Sequence, residues 1–387
     1  FIFMKRLLLV LVLLLVIGCS VEKTEDTVVY LDTDVGEIAV QLDFPFEARY
    51  SDGAPVVVVV STFMTGNHGF SSYDLVEDFV EIGYLWPGVT HGKYSSTGEF
   101  DYGGENCQKA LSEVIRFASG EIKDMDGNYL NDYYDVVDNV GVYAFSHPGI
   151  VAVNTMAAYD LDVDWFVGRE NPTNDEIFAV ELGHVSTSQN PYYSFEDYDS
   201  YDLGTNYSLA EYDYDLDLVY FDANENGVHE EREFALTDFG PTAWDERYYS
   251  VDLLEVLDSK LSDWPSGVAT LSEAIEFWPL RTCVQNYESL DSDMKVMLLF
   301  AYTEHVQPQY DRPSIHQAYD GYVRNGNWIR LNPDSAYLDY SPDLDANSAG
   351  DWADALDWGY ENRKVASVDA PKAAVHEMAD REYYGNW

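Results

Sequence analysis

The stretch NVGVYAFSHPGIVAVNTMAAY, residues 139–159, decides how this chain is read. Asn139 to Phe145 is a short apolar run with the β-branched and aromatic residues that favour strands. The run breaks at Ser146, and His147-Pro148-Gly149 leads into an apolar segment with helical spacing. Proline suits the first turn of a helix, where its missing N–H leaves nothing unsatisfied. The segment therefore predicts strand, sharp turn and helix, with one hydroxyl at the junction. Either this is an ordinary connection, or the turn exists to present Ser146.

On both sides the same alternation continues. GEIAVQLDFP (residues 36–45) alternates like a half-buried strand, and PVVVVVS (residues 55–61) is a β-branched run suited to burial on both faces. YDLVEDFVEIG (residues 73–83) has helical spacing, and GYLWPGVT (residues 83–90) predicts a second short buried strand. GENCQKALSEVIRFASG (residues 104–120) is an amphipathic helix closed by Gly120. Downstream, VDWFVG (163–168), DMKVMLLFAY (293–302) and NWIRLNP (327–333) predict strands, with a helix over SIHQAYDGYVRNG (314–326). Strands alternating with helices predict an α/β fold, a mostly parallel sheet with helices on both faces. Residues 172–290 interrupt the pattern and are crowded with Tyr and Asp. They read as an insertion, either a cap over the carboxyl edge of the sheet or a surface meander without a role.

A serine between strand and helix, in this order, resembles the nucleophile elbow of the α/β-hydrolase superfamily, Gly-x-Ser-x-Gly. Ala144 stands at the first glycine position and Pro148 at the second, with Gly149 one place later. The resemblance covers residues 55–170 and 293–335. It implies an α/β-hydrolase-like sheet and acyl transfer through Ser146. The oxyanion hole would use the N–H of His147 and that of Phe63 or Met64, in the loop STFMTGNHGF (residues 61–70). It further implies an acid after the next-to-last strand, Glu304, with Glu170 as the alternative one strand earlier. The base is expected to be His316, with His376 and His305 as alternatives. A histidine following the last strand would fit the family order, and only His376 does so. The substrate expected is a small ester or peptide. The competing expectation is a hydrolase-like binding module that has lost its base.

A second pattern lies inside the insertion. DANENGVHEERE (residues 222–233) is similar to the calcium loop of EF-hand and dockerin type, with Asp222, Asn224, Asn226, the Val228 carbonyl and Glu233 as oxygen donors around Gly227. One such loop predicts a structural Ca²⁺ site and not a sensor. No organic cofactor is expected.

Before the first strand, Lys5-Arg6 precede the apolar run Leu7 to Ile17, followed by Gly18-Cys19. Charged then apolar residues match a secretory signal. Val16-Ile17-Gly18-Cys19-Ser20 resembles a prokaryotic lipobox, which implies cleavage after residue 18 and a lipid anchor on Cys19, outside the cytoplasm. The expected organisation is a signal over 1–18, linker and first strands over 19–54, core over 55–171, insertion over 172–290 with its calcium-type loop at 222–233, and core with a C-terminal helix over 291–387. With 70 acidic and 21 basic residues, the net charge is −49. Nucleic acid would repel such a surface. Apolar content of 46% excludes a disordered acidic tail. A high-salt habitat and abundant cation binding both fit this acidity. Cys107 and Cys283 are either disulfide partners or two separate buried thiols.

Overall fold

Val56 to Val60 are all at most 1% exposed, and the pleat of one sheet explains why all five can be apolar. The structure, a computed structural model, describes residues 27–62, 69–70, 77–176, 207–215, 218–221, 226, 228, 248–299, 313–334 and 369–387. Its strands are β1 (Thr27–Thr33), β2 (Gly36–Asp43), β3 (Ala54–Val59), β4 (Val80–Tyr84), the two-residue β5 (Thr90–His91) and β6 (Tyr94–Ser95), β7 (Val136–Phe145), β8 (Trp165–Arg169), β9 (Ala210–Asp213), β10 (Leu218–Phe221), β11 (Lys295–Leu299) and β12 (Ile329–Leu331). Eight of them form one sheet in the order β1-β2-β4-β3-β7-β8-β11-β12. Strand β2 runs antiparallel to both neighbours, and every other pair in the sheet is parallel.

The helices are α1 (Glu105–Ala118), α2 (Pro148–Ala158), α3 (Val251–Lys260), α4 (Leu271–Phe277), α5 (Pro313–Asn325) and α6 (Asp369–Tyr384). Val56, Val58, Val142, Ala144, Phe166 and Val296 point to one face, where they pack with α1, α2 and α5. Their alternates Val57, Val59, Tyr143, Trp165, Val167 and Met297 point to the other, against Ala374, Val375, Met378 and Ala379 of α6. Both faces are covered, so the strands read as continuous apolar runs. The expected fold class is the one observed.

One expected element is different. Within residues 73–83, expected to be helical, 77–79 form a turn and Val80 opens β4. Val80, Ile82 and Tyr84 enter the core with α1, and Phe79 enters the opposite core. A strand there has backbone partners on both sides, in β2 and β3, which a lone helical turn would lack. Of the expected buried strand over 83–90, only Gly83 and Tyr84 belong to β4.

The described part of 172–290 gathers a smaller apolar cluster around Tyr249, Leu253, Leu257 and Trp278, joining α3 and α4 to the β9–β10 hairpin. It is tied to the main core beside α1 and α2. Arg281 donates to the carbonyls of Asp101 and Tyr102, and Asn154 donates to Leu280 O at 3.0 Å. Cys107 and Cys283 are two buried free thiols. Among the described residues no helix is long and apolar enough to cross a membrane. Residues 1–18 and Cys19 lie outside the described residues.

Candidate active site

Only Ser146 and His147 separate β7 from α2. The Ser146 N–H donates to Arg169 O at 2.8 Å, extending the β7–β8 pairing one step beyond the strand. Its φ is +63°. His147 already has helical angles, φ −51° and ψ −36°, and Pro148 occupies the first turn. Gly149 N–H then closes back on Ser146 O at 2.9 Å. A left-handed residue that is not glycine costs roughly 1–3 kcal/mol and persists only where its surroundings hold it. Such strain collects at functional sites. Ser146 is 9% exposed.

Glycines lie beside the turn at 149 and 168. Ala144 lies opposite Gly168 of β8. The space in front of Gly168 and Gly149 is filled by the carboxamide of Asn171, and a Cβ at either glycine would overlap it. The Asn171 amide donates to Ser146 O at 2.7 Å, Arg169 O at 3.1 Å and Ala144 O at 3.2 Å.

Strain recurs along this edge. Among the described residues four that are not glycine have positive φ, and three of them end neighbouring or near strands: Ser146 after β7, Glu170 after β8 and Asn332 after β12. All three lie at the carboxyl edge of the parallel strands, the edge at which open α/β sheets bind ligands. Glu170, with φ +50°, is 7% exposed, donates its N–H to Leu299 O at 3.0 Å, and keeps its Oε1 3.6 Å from Arg169 Nε. The alternative acid thus stands one strand from the serine. Glu304 and His305 lie outside the described residues.

The expected oxyanion loop leaves the sheet on the strand beside β7. Val60 N–H donates to Tyr143 O at 2.9 Å, the Ser61 hydroxyl donates to Tyr84 O, and Ser61 O accepts from Trp86 Nε1 at 3.1 Å. These bonds fix the root of the loop. Phe63 and Met64 lie outside the described residues. His147 is the N-cap of α2, at the end where the helix dipole is positive.

His316 occupies the first turn of α5. That turn docks at the same edge: Thr173 N–H donates to Ser314 Oγ at 3.4 Å, and Thr173 Oγ1 to Gln317 Oε1 at 2.7 Å. His376 is elsewhere. Its Nε2 lies 3.0 Å from Asp78 Oδ1, ahead of β4, at the amino edge of the parallel strands. A base cannot serve Ser146 from the opposite edge, so His376 is ruled out as the base. Residues 333–368, between β12 and α6, contain no histidine.

Sequence reasoning missed two site residues, Asn171 and Asp175. The His147 ring donates through Nδ1 to Asp175 Oδ1, and the imidazole is 1% exposed. Both belong to ENPTND, a segment after β8 rich in the short polar side chains that bind backbone groups. Beneath the elbow, Gly149, Gly168, Asn171, Cys283, Tyr287 and Tyr322 enclose a cavity of about 20 Å³. That is room for about one water and not for a substrate. Burial pushes the Cys283 thiol up to about 12, which leaves it inert at neutral pH.

Of the calcium-type loop, Asn226 and Val228 are described, with Val228 N–H donating to Asn226 Oδ1 at 2.7 Å. This Asx turn is the local bend that such loops use. Asp222, Asn224 and Glu233 lie outside the described residues. Among the described residues no three His, Cys, Asp or Glu side chains are grouped to hold a metal.

No family model and no curated protein matches the chain. Solved structures do. It is similar to the acylaminoacyl peptidase of Pyrococcus horikoshii, with 10% identity over 95% of this chain and 43% of that one, TM-score 0.44. It is similar to an esterase of Pyrobaculum calidifontis, with 11% identity over 91% and 86% of the two chains, TM-score 0.44. A thermostable carboxyl esterase of Bacillus coagulans aligns at 9% identity over 79% and 88%, TM-score 0.38. The chain spans less than half the length of the peptidase it matches.

Proposed function

We propose that the chain is a serine hydrolase that cleaves a small ester or peptide through an acyl-enzyme on Ser146. One observation carries this reading: a serine held at φ +63° where a parallel strand becomes a helix. In the reaction Ser146 Oγ attacks the substrate carbonyl carbon and its proton passes to an imidazole. The carbonyl oxygen becomes an oxyanion, stabilised by the N–H of His147 and that of Phe63 or Met64. The imidazolium then protonates the leaving alcohol or amine. Water, deprotonated by the same ring, releases the acid and frees the serine. His316 and His305 are the remaining candidates for the base, with Glu304 or Glu170 orienting it.

The test is covalent labelling with a fluorophosphonate between about pH 7.5 and 9, where an unperturbed histidine base is largely neutral. Labelling at Ser146 is expected, with complete loss in Ser146→Ala. A second reading is a catalytically inactive, hydrolase-like binding protein. It is supported by the absence of histidine from residues 333–368, where the family order would put one. A chain that binds a glycan or protein yet never labels would establish that reading over the first.

Two further proposals rest on sequence motifs. We assign residues 222–233 a structural Ca²⁺, held by Asp222, Asn224, Asn226, the Val228 carbonyl and Glu233. Millimolar Ca²⁺ should raise the melting temperature, and Glu233→Ala should remove the rise. A rise that survives the substitution places the ion elsewhere. We also place the protein outside the cytoplasm, anchored through acylated Cys19. Mass spectrometry of the membrane fraction should find the lipid on Cys19, and Cys19→Ser should release the protein.

A further inference from the structure

We propose that Asn171 is a positioning residue that aims the oxyanion donor of the elbow, an inference that rests on the serine-hydrolase reading of Ser146. Its carboxamide N–H groups, two protons in all, span three carbonyl oxygens, those of Ser146, Arg169 and Ala144. Because all three of these oxygens are acceptors, the amide must face them with its NH₂ and not its oxygen. The shortest of these bonds, 2.7 Å, goes to Ser146 O.

That carbonyl shares a rigid peptide plane with the His147 N–H, and in a trans peptide the two point in opposite directions. Fixing one fixes the other. Asn171 grips the carbonyl from behind the turn, and Gly149 N–H takes the same oxygen at 2.9 Å. Between them they set the direction in which the His147 N–H leaves. Gly149 and Gly168 serve this grip, since a side chain on either would displace the carboxamide. This also accounts for an elbow with Ala144 and Pro148 in place of its usual glycines. The shape of the turn is imposed from the segment after β8 by a side chain 25 residues away in sequence.

The experiment uses the full chain with Asn171→Ala and with Asn171→Asp, which keeps the shape but turns an acceptor toward three acceptors. Fluorophosphonate kinact is expected to fall about 30-fold, less than the loss of an entire oxyanion donor, with KI within about threefold of the parent. Asn286→Ala, which deletes the 2.7 Å bond to Asn154 Oδ1 away from the elbow, should leave kinact unchanged. Equal losses in Asn286→Ala and Asn171→Ala, or an unchanged kinact in Asn171→Ala, would overturn the proposal. Amide exchange gives a readout independent of activity. Ser146 and Gly149 N–H should exchange at least tenfold faster in Asn171→Ala, while Val142 stays protected. Unaltered exchange at both sites overturns the proposal even if the parent protein never labels, an outcome that would count against the hydrolase reading alone.

Discussion

Asp164 shows how a single carboxylate can be held against its own preference. It precedes β8, and its Oδ2 accepts from Val140 N–H at 2.7 Å, bridging the amino ends of β7 and β8. Burial, with the neighbouring charges of Glu382, Asp162 and Asp138, pushes it up to about 6 from the ordinary 3.8, against the pull of the Val140 bond. A carboxyl whose folded pKa is raised costs stability when ionised. The cost is fully present above about pH 6 and disappears as pH falls below 3.8, where folded and unfolded forms are both protonated. Asp164→Asn keeps the oxygen that Val140 needs and removes the charge. It should stabilise the protein at pH 8 by about 1–2 kcal/mol, after discounting for partial exposure, and by nothing near pH 3.5. Thermal melts of both forms across that range test this. A stabilisation that does not shrink on acidification would mean that packing, not charge, is responsible. The left-handed Ser146 is the counterpart at the carboxyl edge: there the strain is backbone, and Asn171 offsets it.

Helix α6 closes the sheet on its second face, and a polar clasp at the amino edge sets its position. Arg49 reaches both oxygens of Asp380 at 2.7 Å and Asp78 Oδ2 at 2.7 Å, while Tyr50 donates to Asp380 at 3.0 Å and His376 faces Asp78. The Arg49 and Asp380 side chains are each 18% exposed, so their attraction is little screened. Arg49→Met would remove the cation that the two carboxylates share, leaving Tyr50 on Asp380 and His376 on Asp78, and should cost about 2 kcal/mol in denaturant unfolding. Ser146 labelling at low temperature should be unchanged, because the clasp lies at the edge away from the serine. A loss of labelling without a loss of stability would show that α6 reaches the site. His376 was legible as helical but not as part of this clasp. Periodicity assigns a residue to an element and a face, yet its partners here are some 300 residues away. The same reason hid Asn171 and Asp175, which matter through their contacts with the turn at Ser146 and His147. Ser146 was legible because its meaning is local: strand, break and helix are all within 21 residues. The helix expected over residues 73–83 failed, in its described part 77–83, on competition. Its spacing suits a helix, but two neighbouring strands offer Val80–Tyr84 more hydrogen bonds.

A chain carrying −49 folds against its own charge. Only 21 basic residues stand against 70 acidic ones, so most carboxylates have no cationic partner and repel one another over the surface. The unfolded chain spreads that charge, and the compact state concentrates it. The repulsion reaches about 30 Å at 0.01 M salt but only about 3 Å at 1 M. Melting temperature should therefore rise steeply with NaCl at first and level off by about 0.5 M, once the screening length is shorter than the spacing between surface charges. Sodium chloride and potassium chloride should act alike if screening is the cause. A bound cation would make one salt better than the other at equal ionic strength. Sucrose at matched osmolarity, which acts by exclusion and carries no charge, should not reproduce the early steep rise. A curve that climbs linearly into molar salt would assign the gain to exclusion and not to the acidic surface. A flat curve would mean that the carboxylates are already far enough apart for water alone to screen them.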